Sequence, residues 1–169
     1  MRIILVHPQI PPNTGNVARL CAATRIPLHL VEPLGFEISD RRLKRAGLDY
    51  WEHLQLHRHA SLEEALGEVS EERLFFFSKK AGPSYVEANF GEDCVLVFGN
   101  ETQGLPGGLV EKHPRRFFRI PILHPGVRSL NLSSAVAIAA YEALRQTGRL
   151  RGFAPSRKVA KDAKKGPAD

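Results

Sequence analysis

The sequence has few cysteines and no long apolar run, and each absence excludes a class of protein. Only two of its 169 residues are cysteines, and Cys21 and Cys94 make neither a CxxC metal pair nor a disulfide framework. No apolar stretch approaches the roughly 20 residues that a membrane-spanning helix needs. The apolar residues before His7 are too few for a signal peptide. These absences predict a cytoplasmic protein with no membrane anchor.

Two phosphate-binding motifs are also missing. The first predicted strand is followed by PQIPPNTGN, which has one glycine instead of G-x-G-x-x-G, and no G-x-x-x-x-G-K-[ST] loop occurs. Glycines cluster later, in FGNETQGLPGG, where Gly99 and Gly104 would let the backbone approach a ligand and Glu101 supplies a carboxylate. A plain turn into a helix starting at Pro106 accounts for these residues equally well.

Positive charge is concentrated at the end of the chain. The formal net charge is +6, and the segment 149–169 carries nearly all of it, while the preceding residues are close to neutral. This segment is also poor in large apolar side chains. We therefore predict one domain at residues 1–150 and a basic, flexible tail at residues 151–169. Such a tail suits contact with RNA, and it equally suits a solubilising terminus.

Short apolar runs alternate with helical patterns along the domain. This alternation predicts an α/β fold with a mainly parallel sheet flanked by helices. Buried strands are predicted at residues 2–7, 28–32, 54–58, 73–78, 94–99 and 116–122. Helices are predicted at residues 15–25, at 40–46 with Gly47 as the stop signal, and at 61–66 with Ser61 and Glu64 as a capping box.

The segment RIPILHPGVRSLNLSSAVAIAAYEA places polar residues at the start of a slim helix. Asn131 is a good N-cap, and an apolar stripe rich in alanine follows at helical spacing as far as Leu144. Ser129 and Ser133 offer hydroxyls near the positive end of this helix, next to Arg128. The pattern predicts a tightly packed, capped helix whose start could also bind a small ligand.

Three segments, in order, resemble the signature motifs of the SPOUT class of RNA methyltransferases, which use S-adenosylmethionine. They are IPPNTGNVARLCAAT at residues 10–24, LVFGNETQGLP at 96–106 and RIPILHPGVRSLNLSSAVAIAAYEA at 119–143. The resemblance covers about residues 1–148. The segments IPPNTGN, EPLGF and RRLKRAGLDYWEH narrow it to the small single-domain subgroup that methylates the ribose 2′-hydroxyl of cytidine or uridine at the wobble position 34 of tRNA.

The resemblance implies a C-terminal deep trefoil knot, an exception among protein chains. The loops of the second and third motifs would form the knot and hold S-adenosylmethionine largely through main-chain groups, with no metal. A slim, alanine-rich helix fits passage through such a loop. The resemblance also implies a homodimer in which Arg19 of one subunit meets the cofactor of the other, and tRNA as the partner.

Residue roles follow from the same resemblance. Arg19 would bind a phosphate and help to deprotonate the ribose hydroxyl. Asn16 would orient Arg19 or the backbone, and Glu101 would orient an arginine or the substrate. Ser129 and Asn131 would lie near the transferred methyl group. The implied cofactor contacts are Phe77, Gly99, Gly104, Ile120 and Ser129.

Three other interpretations fit parts of the sequence. Asn100 and Gln103 stand where the subgroup often has proline and arginine, so a 2′-O-methyltransferase of this class acting on another tRNA position or on ribosomal RNA is an alternative. A non-enzymatic RNA-binding module would need a basic body with stacking aromatics, which this body lacks. His53, His57 and His59 are close in sequence and suggest a metal enzyme, yet no carboxylate signature accompanies them.

Overall fold

The computed structural model describes residues 1–37 and 50–151, in which six parallel strands form one sheet. The strands are β1 (Arg2–Val6), β2 (Leu28–Val31), β3 (Leu56–His59), β4 (Leu74–Phe77), β5 (Val95–Phe98) and β6 (Phe117–Phe118). Their order across the sheet is β3-β2-β1-β5-β4-β6. The predicted α/β class and parallel sheet are thus confirmed, whereas the predicted helix at 40–46 and nearly all of the predicted tail lie outside the described residues.

All six predicted strands are present, and two of them, β3 and β6, have a bound that differs from the prediction by more than one residue. β3 begins two residues late because Leu54 donates its N–H to the carbonyl of Trp51 in a 3₁₀ turn. β6 is only two residues long because Arg119 leaves the ladder and pairs with the loop before it. Its N–H donates to the carbonyl of Pro83 (2.9 Å), and its carbonyl accepts from the N–H of Tyr85 (2.8 Å).

Within residues 1–37 and 50–151, four α-helices accompany the sheet: α1 (Pro11–Thr24), α2 (Leu62–Leu66), α3 (Leu109–Lys112) and α4 (Leu132–Gln146). α1 starts four residues before the prediction, at Pro11. Proline fits the first positions of a helix because the N–H group that it lacks would have no partner within the helix. α3 starts at Leu109 instead of Pro106. Ser61 caps α2 as predicted by accepting from the N–H of Glu64 (3.1 Å). In the described residues, no helix is long and apolar enough to cross a membrane.

The helices cover both faces of the sheet. α1 and α4 pack on the face that carries Ile3 and Phe75, while α2 and α3 pack on the face that carries Ile4 and Phe76. Burial of an aromatic side chain such as Phe75 contributes about 1.5–3 kcal/mol. The buried residues of α4 are mostly alanine, so α4 lies close to α1 and to the sheet.

Both cysteines belong to this core and are free thiols. Burial raises the pKa of Cys21 to about 12, and it is also the main cause that raises the pKa of Cys94 to about 11. Thiols with such pKa values stay protonated and unreactive at neutral pH. The prediction that the cysteines form no disulfide is confirmed.

Because all strands run the same way, the segments that follow them meet at one edge of the sheet. The loops after β4, β5 and β6 and the start of α1 after β1 share this edge. Ligands of open α/β sheets bind in crevices beyond the carboxyl ends of the strands. The fold therefore directs the search for a site to this edge.

Candidate active site

A cavity of about 550 Å³ lies beyond the carboxyl ends of β4, β5 and β6. Much of its lining comes from the start of α1, the loop after β5, and the segment between β6 and α4, which belong to the three motif segments. The end of β4, the residues that follow it and α3 also contribute. Seven of the nine predicted site residues line it: Phe77, Gly99, Glu101, Gly104, Ile120, Ser129 and Asn131. Side chains separated by up to about a third of the chain length are thus brought to one place.

Glu101 joins the loop after β5 to the start of α1. Its Oε2 accepts from the backbone N–H of Gln9 (3.0 Å), and its Oε1 accepts from the N–H of Ile10 (3.1 Å) and from Nδ2 of Asn13 (3.0 Å). A carboxylate is favoured here because the first N–H groups of a helix lack intrahelical partners. Burial alone would raise the pKa of Glu101, but the hydrogen bonds from Gln9, Asn13 and Ile10 lower this pKa overall. Glu101 is therefore a charged anchor and a poor proton acceptor.

Asn13 links the start of α1 to the start of α4. Its side chain is buried, and its Oδ1 accepts from Nδ2 of Asn131 (2.8 Å). Asn131 in turn accepts from the backbone N–H (2.8 Å) and the hydroxyl (2.7 Å) of Ser133, which confirms it as the N-cap of α4. Asn13 was not among the predicted site residues. The signal that could have found it is its place in the first motif segment.

The loop after β5 is closed on itself. The N–H and carbonyl of Asn100 pair with those of Gly104 in both directions, at 3.1 Å each. The buried Asn100 side chain accepts from the N–H groups of Thr102 (3.1 Å) and Gln103 (2.6 Å). A Cβ on Gly99 would lie 2.0 Å from the carbonyl carbon of Gly104, so only glycine fits beneath the closed loop. Asn100, which stands where the subgroup often has proline, is thus explained by the hydrogen bonds that its side chain accepts within this loop.

Two predicted catalytic residues, Asn16 and Arg19, do not line the cavity. Arg19 lies six residues beyond Asn13 on α1, which is about 9 Å along the helix axis and on a different face. Its guanidinium stacks over the ring of Tyr50, 5.0 Å from the ring centroid. Asn16 and Arg19 are both exposed. Within one chain, the structure does not bring them to the other site residues.

The cavity lining contains aromatic side chains and a glycine-rich segment. Phe77 stacks on Phe98 with ring centroids 4.6 Å apart, and both contribute to the cavity together with Ile120 and Leu105. The lining also includes the glycine-rich segment 104–108. Apolar side chains beside backbone donors and acceptors suit a flat, partly polar small molecule.

The histidines that suggested a metal enzyme occupy another part of the sheet. His57 and His59 lie on one face of β3 beside the buried His29 of β2, whose Nδ1 is 2.8 Å from Nε2 of His59. His53 lies on the preceding 3₁₀ turn and is exposed. Within residues 1–37 and 50–151, no three histidine, cysteine or carboxylate side chains are placed to hold one metal ion.

Comparisons with known proteins agree with the geometry. The model of the SpoU rRNA Methylase family matches residues 1–141. The tRNA (cytidine(34)-2′-O)-methyltransferase of Saccharophagus degradans is 48% identical over 147 residues, which are 86% of this chain and 95% of that protein.

Solved structures give the same result. A structure described as giving structural insights into the 2-OH methylation of C/U34 on tRNA is 48% identical, with a TM-score of 0.76 over 86% of this chain and 94% of that one. The SpoU methyltransferase AviRb from Streptomyces viridochromogenes, in complex with the cofactor AdoMet, shares the fold at 23% identity, with a TM-score of 0.74 over 90% of this chain and 59% of that one. With its three motif segments gathered at one cavity and a family match that spans most of its length, the chain belongs to the SpoU rRNA methylase family.

Proposed function

We propose that this protein transfers a methyl group from S-adenosylmethionine to the ribose 2′-hydroxyl of the wobble nucleotide, cytidine or uridine 34, of tRNA. The observation that carries the proposal is the convergence of the three motif segments on one cavity through Glu101, Asn13 and Asn131. The relatives named for this activity match nearly their full length. Their similarity favours position 34 over another tRNA position or ribosomal RNA.

The cavity fits S-adenosylmethionine in size and in chemistry. A volume of about 550 Å³ lies in the range of sites for ligands of this size. Phe77 and Ile120 offer apolar surface to an adenine ring, and the backbone of the segments 99–104 and 120–131 offers hydrogen-bonding groups. Gly99 lets the loop fold tightly over the end of β5. When bound, the cofactor supplies an electrophilic methyl group on its sulfonium.

The chain's own residues would position the reacting hydroxyl. Ser129 and Asn131 line the cavity at the start of α4 and would orient the ribose next to the methyl group. Glu101 would hold the cavity wall and not act as a base, since its hydrogen bonds keep its pKa low. A ribose hydroxyl is a very weak acid, so proximity and orientation provide most of the rate increase. Arg19 would bind a phosphate and assist the loss of the proton.

Arg19 can serve this role only if a second copy of the chain supplies it. We propose a homodimer with the helices α1 and α4 at the interface, as implied by the resemblance. Support comes from the exposed apolar groups Leu123, Val127, Leu130 and Tyr141 and from the exposed position of Arg19 outside its own cavity. The same resemblance supports a trefoil knot formed by the loops around the cavity, through which the slim α4 passes.

Two further points complete the proposal. The chain would consist of a methyltransferase domain at residues 1–150 and a basic tail at 151–169 that contacts RNA. As tRNA is its proposed substrate, the protein would act in the cytoplasm without a metal. Mass spectrometry of tRNA from cells that lack the gene should show the loss of a 2′-O-methylated nucleoside at position 34. An unchanged nucleoside profile at that position would argue against the proposal.

A further inference from the structure

Two lysines that no motif assigns a role stand beside the cavity. Lys79 and Lys80 follow β4 directly, line the cavity and are exposed. The turn that carries them is held at both ends by β6 and its continuation. The N–H of Ser78 donates to the carbonyl of Phe118 (3.0 Å), and the carbonyl of Pro83 accepts from the N–H of Arg119 (2.9 Å). The two cations are thus presented from a fixed backbone.

Nothing in the described part of the chain neutralises these lysines. Neither Lys79 nor Lys80 forms an ion pair there. The carboxylates that line the cavity are Glu101 and Glu111, and Glu101 is engaged by the start of α1. Among the residues that the structure describes, the rim beside Phe77 therefore carries two positive charges that have no ion-pair partner.

We propose that Lys79 and Lys80 bind the RNA phosphate on the 3′ side of the ribose that is methylated. This inference rests on the proposed function. The 2′-hydroxyl and the 3′-oxygen sit on neighbouring carbons of the ribose ring. Any pose that brings the hydroxyl to a methyl donor in the cavity therefore also brings the 3′-phosphate close to the cavity rim. An ammonium group is a mobile point charge well suited to a phosphate. The two lysines would fix the register of the RNA and act as substrate-binding residues.

The test compares wild-type protein with a Lys79→Ala/Lys80→Ala double variant on tRNA. The KM for tRNA should rise about tenfold because charge-assisted contacts are lost. The slope of log affinity against log salt should fall by about 0.7 if both lysines bind one phosphate of a single strand. The dissociation constant of S-adenosylmethionine should stay unchanged. Lys112→Ala, an exposed lysine on α3 that does not line the cavity, is the matched control and should change none of these values.

A modified substrate identifies the phosphate. In a tRNA with one uncharged methylphosphonate linkage on the 3′ side of nucleotide 34, the wild-type protein and the double variant should have equal KM values. If the double variant still has a higher KM than wild type on this substrate, the assignment of the lysines to the phosphate on the 3′ side of nucleotide 34 is wrong. A weaker affinity for S-adenosylmethionine with an unchanged KM for tRNA would show that the lysines hold the cofactor carboxylate instead. Wild-type protein that fails to methylate nucleotide 34 would overturn the proposed function itself, and this inference with it.

Discussion

At the scale of single residues, the site depends on side chains that join distant segments. Asn13 donates to Glu101, 88 residues away, and accepts from Asn131, 118 residues away. Each of these groups is buried or half-buried or caps a helix, so the loss of one leaves others without a partner. Arg19 differs, because it makes no contact that holds the cavity together. The two residues should therefore respond differently to substitution.

Asn13→Ala should lower both stability and cofactor affinity. The substitution removes a donor to Glu101 and an acceptor for Asn131, and unpaired buried polar groups cost about 1–3 kcal/mol. Thermal unfolding and calorimetric titration with S-adenosylmethionine measure the two effects. Asn16→Ala, an exposed asparagine on the same helix, is the control for stability. Equal unfolding temperatures for the Asn13 and Asn16 variants would contradict the proposed linking role.

Arg19→Ala should separate catalysis from cofactor binding. Arg19 makes no contact that holds the cavity loops and is proposed to act on the RNA phosphate and the reacting hydroxyl, so affinity for S-adenosylmethionine should be retained. Methyl transfer should fall by at least about 100-fold, as expected for a group that acts mainly in the transition state. Single-turnover assays compare the methyl-transfer rate of Arg19→Ala with that of Arg58→Ala, which removes the same charge from an exposed position on β3. Full turnover by the Arg19 variant would mean that its assignment is wrong.

At the scale of elements, the closed loop after β5 and the edge formed by β2 and β3 carry separate physical constraints. The loop is built around a contact that admits no side chain at Gly99. The edge contains three histidine rings, with His29 stacked 4.6 Å from His57 and 5.0 Å from His59. The contact at Gly99 determines the shape of the site, and the histidine rings determine stability in acid.

Gly99→Ala should abolish cofactor binding and lower the unfolding temperature. A Cβ 2.0 Å from the carbonyl carbon of Gly104 forces the closed loop away from β5, and overpacking of this kind costs about 1–3 kcal/mol. The close contact thus predicts a loss of stability as well as a loss of cofactor affinity. Gly91→Ala, where the added Cβ has only an ordinary contact of 3.6 Å, should behave as wild type. A Gly99 variant with normal affinity would contradict the loop geometry.

Stability should fall as the pH drops from 6.5 towards 4. Burial, followed by the charges of His57, Arg2 and His59, lowers the pKa of His29 from 6.5 to about 4; the carboxylate of Glu64 faces the same cluster, 3.5 Å from His59. Between these pH values the unfolded chain binds a proton that the folded chain does not bind. The free energy of unfolding therefore decreases by up to about 1.4 kcal/mol per pH unit.

Urea unfolding across this pH range measures the effect. His29→Phe keeps a stacked ring but removes the titrating group. The slope of its free energy of unfolding against pH should therefore be smaller than that of wild type by the contribution of about one proton. His53→Gln, which changes an exposed histidine, should leave the curve unchanged. Parallel curves for wild type and the His29 variant would exclude His29 as the cause.

The strands and helices also show which structural features local sequence patterns can predict. The buried strands β1, β2, β4 and β5 are predicted to within about one residue at each end, because buried parallel strands have continuous apolar runs. The start of α1 is missed since Pro11 and Pro12 read as a loop, although prolines fit the first turn of a helix. Asn13 is missed because its partners lie 88 and 118 residues away, and no local pattern contains that distance.

At the scale of the whole molecule, one chain has a complete cavity but not a complete set of catalytic groups. Seven predicted site residues line the cavity, and Arg19 and Asn16 lie outside it. If two copies share their sites, two inactive variants should complement each other. A chain with Arg19→Ala keeps its cavity, and a chain with Ser129→Trp fills its cavity but keeps Arg19.

Mixing these two variants under conditions that exchange subunits should restore methyl transfer. Random exchange makes half of the dimers mixed, each with one intact composite site, so activity should reach about a quarter of the wild-type value in a C2 dimer. Each variant alone should remain inactive, and light scattering should give the mass of a dimer. A monomer mass, or no recovery after proven exchange, would contradict the shared site.

Transfer of a labelled methyl group to tRNA shows whether this chain methylates the ribose of nucleotide 34. Purified protein is incubated with unmodified tRNA and S-adenosylmethionine carrying a deuterated methyl group, and nuclease fragments are analysed by mass spectrometry. We expect one labelled methyl group on the ribose of cytidine or uridine 34 and none after heat treatment of the protein. A label on a base or at another position, or transfer to ribosomal RNA alone, would contradict it.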